Sequence, residues 1–235
     1  MSPVHENLNP LCPRTALVTG GARGIGAAIV TELSARNVSV SAPTRDELDL
    51  ADQVAIEQYI EKCNAEDIYF DILVNNAAVN IINPVEQISR ETWLTTIQVN
   101  LNAPFRLAQA FAPTMRRNRW GRIVNLSSIL GVVTRPHRAA YSTTKAALVG
   151  FTRTLASELG RDNVLVNCVA PGYVETNLVR KNNSDEELRR IAERVPLGRL
   201  AHPSEIAKFV SFLCSDENTY ITGQTLIIDG GFTCL

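Results

Sequence analysis

Tyr141 and Lys145 stand four residues apart in a stretch with helical spacing, so a phenol and an ammonium share one helix face. A free tyrosine has a pKa of about 10, too high for proton exchange at neutral pH. A neighbouring ammonium favours the phenolate and lowers that value, which would suit proton transfer to or from a substrate oxygen. Alone, this spacing is more often a helix-surface pair. Thirteen residues earlier, Ser128 follows a β-rich run over Ile123–Ser127. A hydroxyl at the carboxyl end of a parallel strand can donate to a carbonyl oxygen. Alone it reads first as a turn or cap serine.

A second kind of chemistry sits near the amino terminus. The run Thr19-Gly20-Gly21-Ala22-Arg23-Gly24-Ile25-Gly26 follows one β-rich segment and opens a helical one. Glycines let the backbone turn tightly and approach phosphate oxygens, and a helix N-terminus offers free N–H groups to an anion. A glycine-rich turn between strand and helix would look the same without a ligand, but its place after the first strand favours nucleotide binding.

The elements that must position these residues alternate along the chain. β-rich runs cover Thr15–Thr19, Val38–Ala42, Asp71–Asn75, Ile123–Ser127, Val164–Ala170 and Thr225–Asp229. Several are apolar at consecutive positions, such as Ile72-Leu73-Val74 and Leu226-Ile227-Ile228, as in strands covered on both faces. Between them, Ile25, Ile29 and Leu33, and then Leu148, Phe151, Leu155 and Leu159, keep helical spacing. Strand–helix alternation implies βαβ units and an α/β, doubly wound parallel sheet of the Rossmann type. With 235 residues, one dinucleotide-binding and catalytic domain over 1–235 is expected, with 1–13 as an N-terminal segment. The polar stretch Tyr173–Pro196 is the least strand-like, and Ser184 with Glu187 makes a capping-box pattern inside it.

Composition narrows the function classes. The net charge is -1 from 23 basic and 24 acidic residues, so no basic field argues for nucleic acid or an anionic membrane. The run from Asp185 to Arg194 mixes signs and reads as a solvated helix face. Five cysteines, Cys12, Cys63, Cys168, Cys214 and Cys234, are odd in number and far apart, which suggests reduced thiols in the cytoplasm. His5, His137 and His202 are scattered, without metal-site spacing, so no metal is expected. The N-terminus is unlike a signal peptide, and no apolar run reaches membrane-span length.

The glycine spacing G-x-x-x-G-x-G resembles that of the short-chain dehydrogenase/reductase family. The likeness continues in family order: Asn75-Asn76-Ala77-Ala78, Asn100, Ser127-Ser128, Tyr141-x-x-x-Lys145, Pro171-Gly172, and Ile221-Thr222-Gly223-Gln224 with Asp229-Gly230-Gly231. The resemblance implies an NAD(P)-dependent oxidoreductase moving a hydride between nicotinamide and a small carbonyl or alcohol. It implies that Ser128 orients substrate, Tyr141 is the acid/base, Lys145 also holds the nicotinamide ribose, and Asn100 fixes a relay water. For Asn100, a buried asparagine bonding backbone is the alternative. It further implies cofactor contacts at Gly20, Arg23, Gly24, Ile25, Gly26, Asn76, Ala77, Pro171, Gly172, Val174 and Thr176, with 173–196 as a loop over the substrate. Ala78 stands where the family usually has glycine. The C-terminal half is similar to 3-oxoacyl-carrier-protein reductases, but Asn75–Asn83 lacks the Thr-Arg-Asp usual there, so their substrate does not follow. Two other readings are a sugar-nucleotide-modifying member of the family and a non-catalytic nucleotide sensor on the same fold. Retention of both Tyr141 and Lys145 argues against the sensor.

One departure affects both fold and cofactor. Only residues 43–47 separate Val38–Ala42 from the Glu47-Leu48-Asp49-Leu50 segment, and a parallel crossover needs about a dozen residues. A sheet of six strands is expected, with the family's usual third strand missing or vestigial and Val38–Ala42 at the edge. Asp49 and Leu50 match the family's pair beside the adenine. Where NAD binders carry an acid, the chain has Pro43, Thr44 and Arg45. The planar fork of Arg45 suits a 2′-phosphate, which favours NADP over NAD. The resemblance also implies a homo-oligomer, a tetramer, through long helices over roughly 89–118 and 139–160. Phe105, Phe111, Leu148 and Phe151 there exceed what one sheet contact needs.

Overall fold

The structure is a computed structural model that describes residues 13–234; the 1–13 segment therefore lies almost wholly outside the described residues. Six parallel strands form one sheet: β1 (Thr15–Val18), β2 (Ser39–Ser41), β3 (Ile72–Asn75), β4 (Gly121–Leu126), β5 (Val164–Pro171) and β6 (Thr225–Ile228). Their order is β2-β1-β3-β4-β5-β6. The six-strand expectation holds. Residues 43–51 turn and lead straight to α2 (Gln53–Ala65), so β2 pairs with β1 alone and lies at the sheet edge. Leu48 anchors this short connection: its side chain is buried against Ile56 and Ile60 of α2 in the core.

The sheet is packed on both faces. On one, Leu17, Leu73, Ile123 and Val166 meet α2, α4 (Ala103–Arg117) and α5 (Ala139–Leu159). On the other, Ala16, Ile72, Val124 and Val169 meet α1 (Gly24–Ala35) and α8 (Pro203–Leu213). The strands β1, β3, β4 and β5 are buried along nearly their whole length, which explains their unbroken apolar runs.

The helix expected over 89–118 is interrupted. Helix α3 (Arg90–Ile97) passes through a π-helical turn, Gln98–Asn102, before α4 begins. Pro104 supplies the physical reason, since it has no N–H for the carbonyl of Asn100 four residues back. The apolar surplus is also smaller than expected. Phe111 and Leu148 are core residues, whereas Phe105 is 49% exposed and packs on the half-buried Phe151 at 6.0 Å.

Candidate active site

The carboxyl ends of β4 and β5 carry the chemistry. Chain reversal after β4 places Ser127 and Ser128, whose extended backbone starts a 3-10 turn. Ser127 is buried and donates to the carbonyl of Lys145 at 2.8 Å, fastening the strand end to α5. The hydroxyl oxygen of Ser128 accepts from the Leu130 N–H at 3.1 Å, leaving its own proton available. Ser128 therefore fills the cap role and still faces Tyr141.

Tyr141 and Lys145 lie in the first turns of α5, as the spacing predicts. Lys145 is only 2% exposed, and its ammonium donates to the carbonyl of Leu126. Burial pulls its pKa down to about 8. Its nitrogen lies 5.6 Å from the centre of the Tyr141 ring. The expectation of a lowered tyrosine pKa is corrected here. Burial of the phenol outweighs everything else and raises its pKa; Ser128 and then Arg138 act in the opposite direction.

Asn100 is buried in the π-turn with its side chain fully engaged. It donates to the Val79 carbonyl and accepts from the Val79 N–H, both at 2.9 Å, and donates to Thr144 at 3.1 Å. This is the backbone-bonding geometry, and it ties the segment after β3 to the turn of α5 that carries Lys145.

One cleft unites several expected residues: Ser128, Tyr141, Ile25, Pro171, Gly172 and Thr176 all line it. Val174 reaches the same wall, although its side chain is a core residue. Residues 173–196 form α6 (Asn177–Lys181) and α7 (Asp185–Glu193), and α6 helps to close the cleft through Val179. Ser184 and Glu187 make the expected capping box. Sequence reasoning missed Arg135, Arg138, Asn80 and Asn183 in this cleft. The available signal was two cations between Ser128 and Tyr141, but an arginine in a loop reads as a surface residue unless its burial is known.

The glycine turn is built for close approach. Gly20 and Gly24 have φ of +66° and +57°, a region that L side chains rarely adopt. A Cβ on Gly26 would come within 2.1 Å of the Gly20 carbonyl oxygen. Asn76 donates to the carbonyls of Thr19 and Gly20 at 2.9 and 3.1 Å, so its side chain braces the turn. Thr19 in turn accepts from the N–H groups of Asn76 and Ala77, both at 3.1 Å. Arg23 is the N-cap of α1 and makes no side-chain cap bond, so the first N–H groups of α1 meet no capping side chain. Thr176 caps α6 from the other side, and its methyl would lie 3.2 Å from a Cβ on Gly24. The glycine turn and the Pro171–Thr176 wall thus face each other across one opening, and their backbone geometry fits a dinucleotide.

The edge loop is less committed. Arg45 is 79% exposed and pairs with Asp49 at 3.0 Å, while Thr44 bonds Glu47 through both N–H and hydroxyl. The Asp49 carboxyl lies below its usual range, held chiefly by the Ala51 N–H and then by Arg45. Leu50 leans on the core beside Leu48.

A nucleotide cradle and a Ser-Tyr-Lys cluster at the carboxyl edge of a parallel sheet define an oxidoreductase of the dinucleotide-binding class. The comparisons agree. A family model described as enoyl-(acyl carrier protein) reductase matches residues 41–233. The 3-oxoacyl-(acyl-carrier-protein) reductase FabG of Escherichia coli strain K12 is 39% identical, over 93% of this chain and 96% of its own length. Among solved structures, one from Beutenbergia cavernae, described as an NAD(P)-dependent gluconate 5-dehydrogenase with bound NADP, superposes with a TM-score of 0.90. It is 36% identical, covering 96% of this chain and 98% of that one. A 4-hydroxyisoleucine dehydrogenase complexed with NADH gives 0.89 at 29% identity, covering 94% and 99%. The chain belongs to the short-chain dehydrogenase/reductase family of NAD(P)-dependent oxidoreductases.

Proposed function

We propose that the protein reduces a ketone on a small molecule, with NADPH as the favoured cofactor and Tyr141 as the proton donor. The observation that carries this is the convergence of Ser128 and Tyr141 with Ile25, Gly172 and Thr176 on one cleft. Bound NADPH supplies the hydride that reaches the carbonyl carbon. The carbonyl oxygen then takes the phenolic proton of Tyr141, so a secondary alcohol and NADP+ leave. Ser128 donates to that oxygen while charge develops on it. Burial favours the protonated form of Tyr141, which is the form reduction requires. Lys145 holds the nicotinamide ribose, while Ser128 and then Arg138 ease loss of the phenolic proton. Asn100 serves the relay by fixing a water, and Pro104 offers its backbone carbonyl no N–H four residues on.

Gly20, Arg23, Gly24 and Gly26 take the pyrophosphate, Asn76 and Ala77 lie by the adenosine ribose, and Pro171, Val174 and Thr176 wall the nicotinamide. Thr44, Arg45, Asp49 and Leu50 flank the adenine end, with Arg45 turning from Asp49 to a 2′-phosphate. The bound NADP in one structural relative supports this preference, and the NADH in the other keeps NAD as a weaker alternative. The described chain acts as one catalytic unit, with residues 173–196 over the substrate. No helix among the described residues is long and apolar enough to cross a membrane, in keeping with a cytoplasmic enzyme. The exposed Phe105, seated on Phe151, favours a homotetramer joined through α4 and α5. A panel of ketones, oxoacyl thioesters and keto-sugars, each with NADPH and NADH, tests the activity. Turnover of a ketone with NADPH is expected; no turnover of any carbonyl with either cofactor would overturn it.

A further inference from the structure

We propose that the cleft beside Tyr141 selects a substrate carrying a carboxylate close to the reacting carbonyl, held by Arg138 with help from Arg135. The inference rests on reading this cleft as the site of carbonyl reduction. Arg138 is 3% exposed, yet among the described residues its guanidinium makes one hydrogen bond, from Nη1 to Asn80 Oδ1 at 3.0 Å. Its Nε is buried without a partner. No described carboxylate lies within ion-pair distance of it. The charge acting on it most is another cation, Arg135, whose own Nη1 donates to the Tyr173 hydroxyl at 3.2 Å. A buried guanidinium without an anion is costly, and evolution rarely leaves one idle. Both arginines line the cleft, so an anion entering it would meet both.

Position decides which anion. Arg138 is the N-cap of α5, and Tyr141 lies three residues on, within the first turn. Each of the two side chains acts electrostatically on the other, and both line the same cleft. The anion must then sit only a few bonds from the carbonyl that Tyr141 protonates. A carboxylate on a short oxo acid meets that condition. The phosphate of a carrier-bound thioester does not, because the whole pantetheine arm separates it from the ketone. Asn183 adds a further contact. Its Nδ2 donates to the Val179 carbonyl at 2.8 Å, which fixes Oδ1 as an acceptor, and that oxygen is buried without a partner. A hydroxyl on the same substrate would satisfy it.

The test compares acetoacetate and levulinate, each beside its methyl ester, in NADPH-dependent reduction. The acids are expected to exceed the esters in kcat/KM by about 10–100-fold, the range of a charge-assisted bond. In Arg138→Met the acid-to-ester ratio should fall close to one. Arg138→Lys should recover part of it, because a point charge cannot reproduce the guanidinium fork. Arg135→Gln provides a second variant, with a smaller fall, should Arg138→Met fold poorly. Binding gives a separate readout: butanoate at about a hundred times its Kd should raise the Tm of the NADPH-loaded protein by about 5–10 °C. That shift should vanish in Arg138→Met. Esters reduced as well as acids, or a butanoate shift that survives the substitution, would overturn the inference while leaving the ketone reductase intact. If no carbonyl is reduced but butanoate binding depends on Arg138, the anion site stands and the proposed activity falls.

Discussion

Two buried arginines mark the two ends of the sheet. Arg122 and Arg138 are each 3% exposed. Arg122, at the amino end of β4, donates to the carbonyls of Gly121, Asn163 and Asn218 at 2.8, 3.2 and 3.1 Å. It also stacks on Trp120, with Arg14 over the same ring and Asp216 bonded to the indole N–H at 2.8 Å. Burial draws its pKa down to about 10, and Asp216 pulls the other way. Arg138, beyond the carboxyl end of β4, has one partner and an idle Nε. Equal burial with unequal satisfaction separates a residue that holds the fold from one that awaits a ligand. The amino end is closed chemistry; the carboxyl end keeps donors in reserve.

That contrast can be broken most strongly at Tyr141. Tyr141→Phe should lower steady-state reduction by about 10²–10⁴, the usual contribution of a general acid, and leave NADPH affinity and Tm nearly unchanged. At the other end, Arg122→Leu should do the reverse. It strips the donor from the buried carbonyls of Gly121 and Asn218, and a loss of about 3 kcal/mol in denaturant-measured stability is expected. Unchanged stability in that variant would erase the distinction between the two arginines.

Lys145 sharpens the comparison through pH. Its folded pKa is lowered from 10.5 to about 8, so between those values the unfolded chain binds a proton that the folded chain does not. Stability from this group therefore rises as pH climbs from about 8 to 10.5, by an amount on the order of 3 kcal/mol. Because the raised thiol of Cys214 contributes with the opposite sign above pH 9, the lysine is read as a difference: the stability of the cofactor-free wild type relative to Lys145→Met should rise across that window. The smallest effect is expected at the sheet edge. Arg45→Ala should weaken NADPH by about one to two powers of ten and NADH little, as for one charge-assisted contact to phosphate. Equal losses for both cofactors would remove Arg45 from the 2′-phosphate site.

The same contrast explains what the sequence made legible. Thr15–Val18 and Ile72–Asn75 read as buried strands because helices cover both faces, and the missing third strand followed from the few residues between Ala42 and Leu48. Tyr141, Lys145 and Ser128 were found because the family resemblance gave a role to a helical spacing and a strand end that alone read as a surface pair and a turn serine. Arg138 was invisible because nothing local marks an arginine in a loop as buried; the adjoining His137, held at a φ of 67°, is equally silent in sequence. The raised pKa of Tyr141 was missed for a related reason. Helical spacing shows that Lys145 is near, but burial of the phenol is a property of the whole packed cleft. The π-turn at Asn100 could have been suspected from Pro104, although its geometry depends on the contact with Val79.

The most direct test of the central claim follows single-turnover NADPH oxidation by a reducible ketone as a function of pH, in the wild type and in Tyr141→Phe. The rate constant in the wild type should fall at alkaline pH as the phenol loses its proton. In the variant it should be about 10²–10⁴ lower and lack the fall at the highest pH that belongs to the phenol. A variant that matched the wild type in both rate and pH profile would contradict Tyr141 as the proton donor.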